Sequence, residues 1–310
     1  MPVLKLIPAC KDYIWGGRRL IDEFHKQTDK PRMAESWELS CHPDGLSVIS
    51  GGEFDGMTLV GYIEKNGRRV LGSSCQIFSD FPILIKLIDA QGDLSVQVHP
   101  NNIDALEYEH QYGKTEMWYV IDAEPDAYLY YGFSREISRE EFRERIENGT
   151  LIEVLNKVPV KRGDVFFIPA GTIHAICRGI LIAEVQQSSN VTYRVFDYNR
   201  LGADGKPRQL HIPQAIRVTQ LTPPKTDYNF GGHLARCAYF TADVKCAPWS
   251  DICGDESFVS ILVLDGEGAV SCGGDTVACK KGDSLFLPAF SGKYEVTGNI
   301  RALVTGVGTI

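Results

Sequence analysis

Apolar and polar positions alternate along much of this chain with a period of two. In residues 93–102, Leu94, Val96 and Val98 point one way and Ser95, Gln97 and His99 the other, because successive side chains leave opposite faces of a strand. Gln97 and His99 then share a face, about 7 Å apart along the strand. That face is either solvated or turned inward to grip an ion. Residues 34–40 alternate similarly, with Trp37 and Leu39 against Glu38. Residues 82–88 form an apolar strand holding one lysine, Lys86. It is either an edge-strand charge that discourages aggregation or a cation facing a pocket. Further strands are predicted over 113–121, 165–168, 174–176, 181–186 and 191–195. In the last of these Thr192 and Arg194 share a face.

Helical signals are fewer and shorter. Residues 19–24 make a turn or two, 58–65 a short helix closed by Asn66-Gly67, and 102–109 a helix capped by Asn102. Ser138-Arg139-Glu140-Glu141 is a capping box, followed by Phe142 and Ile146 four residues apart. It predicts a helical insertion over 138–157. Residues 200–232 are rich in Pro and Gly and read as a crossing segment with a short helix near 213–219.

The chain also echoes itself. Lys161-Arg162-Gly163-Asp164-Val165-Phe166-Phe167-Ile168-Pro169-Ala170 is matched by Lys280-Lys281-Gly282-Asp283-Ser284-Leu285-Phe286-Leu287-Pro288-Ala289. Each strand is introduced by a Gly-Asp turn and closed by Pro-Ala. Many short strands with Gly-rich turns indicate sandwiches or barrels. The Gly-Asp, Pro-Ala-Gly and His spacing is that of cupins, which are small antiparallel jelly-roll barrels. The predicted fold is mainly β: two cupin-type jelly-roll β-barrels with a small helical insertion. Residues 1–230 would form a metal-binding catalytic domain. Residues 231–310 would form a degenerate cupin without metal, because Lys293 falls where His174 stands in the first.

Composition narrows the function. At 310 residues, 44% hydrophobic and 23% charged, the chain is ordinary for a globular protein. No apolar run approaches the ~20 residues needed to span a bilayer, and the start lacks a signal peptide's apolar core. A net charge of −8 without any Lys/Arg block disfavours nucleic acid and anionic membranes as partners. Nine scattered cysteines without a Cys-x-x-Cys pair fit reduced thiols in a cytoplasm.

Within the first barrel Gln97, His99, Glu116 and His174 come from three strands and converge. Two imidazoles, a carboxylate and a carboxamide oxygen suit Zn²⁺. Two His and one carboxylate also describe a ferrous oxygenase site. The motifs Gln97-Val98-His99-Pro100, Gly113-Lys114-Thr115-Glu116 and Pro169-Ala170-Gly171-Thr172-Ile173-His174 resemble the metal motifs of the type I phosphomannose isomerases (mannose-6-phosphate isomerases), in their short bacterial form. Tyr13-Ile14-Trp15-Gly16-Gly17, Ala34-Glu35-Ser36-Trp37, and Glu184 with Arg194 ten residues later extend the resemblance.

The resemblance implies a zinc-dependent enzyme with one ion per chain. It would interconvert mannose 6-phosphate and fructose 6-phosphate through an enediol, in the cytoplasm. Gln97, His99, Glu116 and His174 would hold the metal. Arg194, Glu184 and Lys114 would be catalytic. Ser95, Lys86, Lys114, Arg194, Trp15 and Glu35 would line the pocket for a small hexose phosphate. The residues support that division: Ser95 shares the face of Gln97 and His99, and Lys114 that of Glu116. A phosphate dianion needs such cations and hydroxyl donors. Two departures from larger members are Ile14, where they carry Asp, and Ile176, where they carry Tyr. The alternatives on the same barrel are a ferrous dioxygenase and a non-catalytic cupin that senses hexose phosphates.

Overall fold

The computed structural model describes residues 2–201 and 205–308. The described chain is mainly β, with four sheets of antiparallel strands and a few short helices. It divides into two compact units, one of Met1–Lys11, Arg18–Leu87 and Asn229–Ile310, the other of Asp12–Gly17 and Ile88–Tyr228. Most of the first 87 residues therefore pack with the C-terminal part of the chain, which no boundary near residue 230 conveys. The physical reason is strand pairing: Leu4–Ile7 lies between Ser284–Leu287 and Val48–Ser50. Local sequence shows that a strand exists but not which distant strand it joins.

In the first unit, strands Thr241–Cys246, Arg301–Gly306, Val259–Asp265, Ser284–Leu287 and Leu4–Ile7 run side by side. Trp249–Cys253, Gly292–Gly298, Glu267–Cys272 and Asp275–Lys280 make a second sheet. Ile261, Val263 and Leu285 from one sheet and Val270, Tyr294 and Val296 from the other share one core. That is the sandwiched packing a jelly roll requires.

In the second unit a five-stranded sheet runs in the order Tyr193–Phe196, Val96–Val98, His174–Ile176, Tyr128–Phe133, Leu155–Pro159. Val96, Val98, Ala175, Tyr193 and Val195 on one face pack against Phe142 and Ile146 of helix Arg139–Glu147 and Ala215 of helix Ile212–Val218. Period two then forces Gln97, His174 and Arg194 onto the opposite face. Beside these, Val165–Ile168, Glu116–Ala123 and Ile180–Gln187 pair in that order.

The sequence echo is a repeated turn. Gly163 and Gly282 take φ of 92° and 91°, a left-handed conformation that glycine enters without a Cβ penalty. Asp164 accepts the Lys161 amide at 2.9 Å, and Asp283 accepts the Lys280 amide at 2.8 Å. Gly163 donates to Val120 and Gly282 to Val263. The neighbouring registers pair Ile168 with Glu116 and Leu287 with Val259. The position of Glu116 is thus an apolar valine in the second barrel.

Several expectations need correction. Only Val96–Val98 of residues 93–102 is strand, because Pro100 and the helix cap that follows turn the chain away. Lys86 is not an edge charge: Ile83–Ala90 is buried throughout, and Lys86 lies 3.6 Å from Glu35 and 5.1 Å from the Trp37 ring. Glu35–Leu39 is likewise buried on both faces, with Glu38 paired to Lys26 at 2.7 Å. Helix Asn102–Tyr108 is capped by Asn101, while Asn102 accepts from Gly113 and Gln187. The insertion is helical only over Arg139–Glu147 and Leu151–Val154, then becomes strand Leu155–Pro159. Among the described residues no helix is long and apolar enough to cross a membrane.

The turn at Gly282 makes a stability prediction. A Cβ there would lie 2.2 Å from the Phe24 carbonyl oxygen, whereas at Gly274, also at positive φ, it would meet nothing within 4 Å. Gly274→Ala should cost only the left-handed backbone penalty, about 1–2 kcal/mol. Gly282→Ala should add steric overlap for a total of about 3 kcal/mol. Urea unfolding midpoints of the two variants check the difference; equal midpoints would refute it.

Candidate active site

The site is built from a row across the five-stranded sheet. Gln97 is the register partner of Arg194 on one side and of His174 on the other. His174 is in turn the partner of Tyr131. Directly opposed residues carry their side chains to the same face, so Arg194, Gln97, His174 and Tyr131 form one line. A second row comes from the adjoining strands, where Gln186 opposes Glu116 and Glu184 opposes Trp118.

His99, Glu116 and His174 are buried, with ligand-type atoms within 4.8 Å of one another. Their tautomers follow from their backs. His99 Nδ1 lies 2.8 Å from the Val191 carbonyl, and His174 Nδ1 lies 2.8 Å from the Thr172 carbonyl. A carbonyl can only accept, so each Nδ1 carries the proton and each Nε2 offers a lone pair. Nε2 of His174 and Oε1 of Glu116 are buried without hydrogen-bond partners and stand 3.3 Å apart. Two acceptors at that distance need a proton or a cation between them. The donor set and the missing partner both fit a divalent metal ion.

Lys114 supplies part of the positive charge. Its ammonium donates to Glu116 Oε2 and to His99 Nε2, the latter at 3.1 Å, and lies 3.5 Å from Glu184. Glu184 accepts from the indole of Trp118 at 3.1 Å. Burial raises the Glu116 carboxyl above its ordinary range; the Lys114 charge opposes this and the Glu184 charge adds to it. Burial first, then the Lys114 charge, lowers His174 to about 4, so its imidazole is neutral at neutral pH and ready to ligate. Arg194 is lowered by burial and then by the neighbouring Arg208 charge.

The other predicted site residues are distributed as follows. Ser95 is buried just before strand Val96–Val98. Gln97 is half-buried beside His174. Trp15 is buried in the same unit, where its carbonyl accepts from Gly92 at 2.9 Å. Lys86 and Glu35 lie in the other unit, close to each other. Two neighbours of the cluster escaped the sequence reading. Trp118 was visible in principle, being two residues beyond Glu116 and so on its face. Gln186, with its amide oxygen buried and unpartnered, shares the face of Glu184 by the same rule.

Known proteins carry the same organisation. A family model described as phosphomannose isomerase type I, catalytic domain, matches residues 3–128. Another, mannose-6-phosphate isomerase, cupin domain, matches residues 233–307. Mannose-6-phosphate isomerase ManA of Bacillus subtilis is 38% identical over 311 residues, covering 96% of each chain. The mannose-6-phosphate isomerase of Streptococcus mutans is 38% identical over 303 residues, 94% of each. A crystal structure of mannose 6-phosphate isomerase from Bacillus subtilis matches with a TM-score of 0.89 at 33% identity, over 98% of this chain and 99% of that one. With near-full-length likeness at this identity, and the same two domains recognised at its two ends, the chain belongs to the type I phosphomannose isomerase family of enzymes.

Proposed function

We propose that this protein interconverts mannose 6-phosphate and fructose 6-phosphate with the help of one zinc ion. The reading is carried by the buried pair of unpartnered acceptors, Glu116 Oε1 and His174 Nε2, backed by the family. Gln97, His99, Glu116 and His174 would hold the ion. It would supply Lewis acidity toward the substrate oxygens and stabilise developing negative charge. The free cysteines support a reducing, cytoplasmic setting.

Aldose–ketose isomerisation moves one proton between C2 and C1 and another between O2 and O1, through an enediol. A base must take the proton from one carbon and return it to the other. Glu184 is the assigned base. It is buried on the face that carries Glu116, and Trp118 and Lys114 orient it. Lys114 is the second candidate; its ammonium also balances the two carboxylates against each other. Arg194, on the row with Gln97 and His174, would stabilise anionic charge on the substrate, and Ser95 would donate to its phosphate.

A coupled assay for fructose 6-phosphate formation from mannose 6-phosphate tests the activity directly. Metal analysis should find about one zinc per chain; iron in its place would favour a dioxygenase. His99→Ala should lose both zinc and turnover, read by metal content and by the same assay. Full turnover in a metal-depleted protein would sink the metal reading. Glu184→Gln should keep its zinc and lose a factor of about 10²–10⁴ in kcat, the usual worth of a general base. If its activity survives within a few-fold, Glu184 is not the base.

A further inference from the structure

Positive charge is distributed unevenly over the second unit. Lys114 is matched by Glu116 and Glu184. Arg194 is not matched. Among the described residues its guanidinium makes one hydrogen bond, from Nη1 to the Gln209 carbonyl at 2.9 Å. Its Nε is buried with no partner. The charges that act on it are Arg208, Asp197 and Arg200, so among the described residues one carboxylate, paired with Arg208 and Arg200, stands near three guanidinium groups. Asp197 is nearly buried and holds Arg208 in a two-point grip, 2.7 Å to Nε and 2.6 Å to Nη2. It also takes Arg200 at 2.5 Å. An antiparallel bridge between Leu201 and Pro207 brings these two arginines together.

A partly buried excess of guanidinium charge is unfavourable by itself. A dianion removes that excess and matches the planar donor geometry of arginine better than that of lysine. Arg194 also stands at a useful distance. Its strand is two steps from that of His174, about 10 Å at ordinary strand spacing, which suits a hexose with its reacting end at His174 and its phosphate at the far end.

We infer that Arg208, fixed by Asp197, joins Arg194 to form the subsite for the substrate's phosphate dianion, and that discrimination between phosphorylated and free hexose resides there. Arg208 is a binding residue and Asp197 a positioning residue. The inference rests on the isomerase reading for the identity of the sugar, but not for the recognition of phosphate.

The test uses the zinc-loaded enzyme. Arg208→Gln should raise KM for mannose 6-phosphate at least 10-fold, with a smaller change in kcat. The ratio of kcat/KM for mannose 6-phosphate over mannose should fall by a similar factor. Inhibition by inorganic phosphate should weaken in parallel. Arg208→Lys should recover part of the loss, and Asp197→Asn should raise KM less than Arg208→Gln does. Thermal midpoint and zinc content identify a variant that has merely misfolded, in which case Arg208→Lys carries the comparison. An Arg208→Gln enzyme that folds, keeps zinc and shows KM and phosphate inhibition within two-fold of wild type overturns the inference. If wild type fails to isomerise yet binds inorganic phosphate by calorimetry in an Arg208-dependent way, the isomerase reading fails and the subsite stands.

Discussion

The second unit depends on one electrostatic constraint: a carboxylate oxygen of Glu116 and an imidazole nitrogen of His174 face each other at 3.3 Å in a buried site, each with a lone pair and neither with a donor. Such an arrangement is tolerable only where a proton or a cation completes it. Much nearby structure keeps it in place. The Thr172 and Val191 carbonyls fix the tautomers from behind. The register of three neighbouring strands sets Arg194, Gln97 and His174 in line. The apolar reverse of that sheet, packed on two short helices, anchors the row so that its polar face is presented in one geometry.

Charge matching then divides the site by function. Lys114 is held among His99, Glu116 and Glu184, so its charge is used up where the metal chemistry would occur. Among the described residues, the guanidinium groups around Asp197 outnumber their carboxylate. Their surplus would be available to a ligand. One end of the row is thus suited to holding a cation and the other to holding an anion. A hexose phosphate, with a polarisable carbonyl at one end and a dianion at the other, needs both.

Much of this was legible in the sequence because strand periodicity is local. The pattern of residues 93–102 put Gln97 on the polar face, and the Pro-Ala-Gly spacing brought in His174. The echo at Gly163 and Gly282 was also readable, since a positive φ requires glycine in both turns. What could not be read is non-local. Lys86 could be read either as an edge charge or as a cation facing a pocket, and Glu38 as a charge on the outer face of a strand; both are buried beside counter-charges whose identity depends on tertiary pairing. The union of Leu4–Ile7 with Ser284–Leu287 spans nearly the whole chain, and no window of sequence contains it. Arg208 lies in a Pro- and Gly-rich segment without periodicity, so only the observed contact with Asp197 singles it out.

The two barrels show which parts of such a motif physics holds fixed. Both keep the Gly-Asp turn, with matching φ and the same amide-to-carboxylate bond, because the strand entry fails without it. The site positions follow a different logic. Opposite the end of the strand, the first barrel carries Glu116 and the second Val259. At the position that the sequence echo aligns with His174, the second carries Lys293, which is exposed and paired with Glu295 at 2.7 Å. A buried carboxylate is costly unless something compensates it, so if Glu116 and His174 hold an ion, losing one would make the other unfavourable to retain. Ligands should therefore be replaced as a set, valine inward and lysine outward, while the turn that frames them persists for reasons of backbone geometry alone.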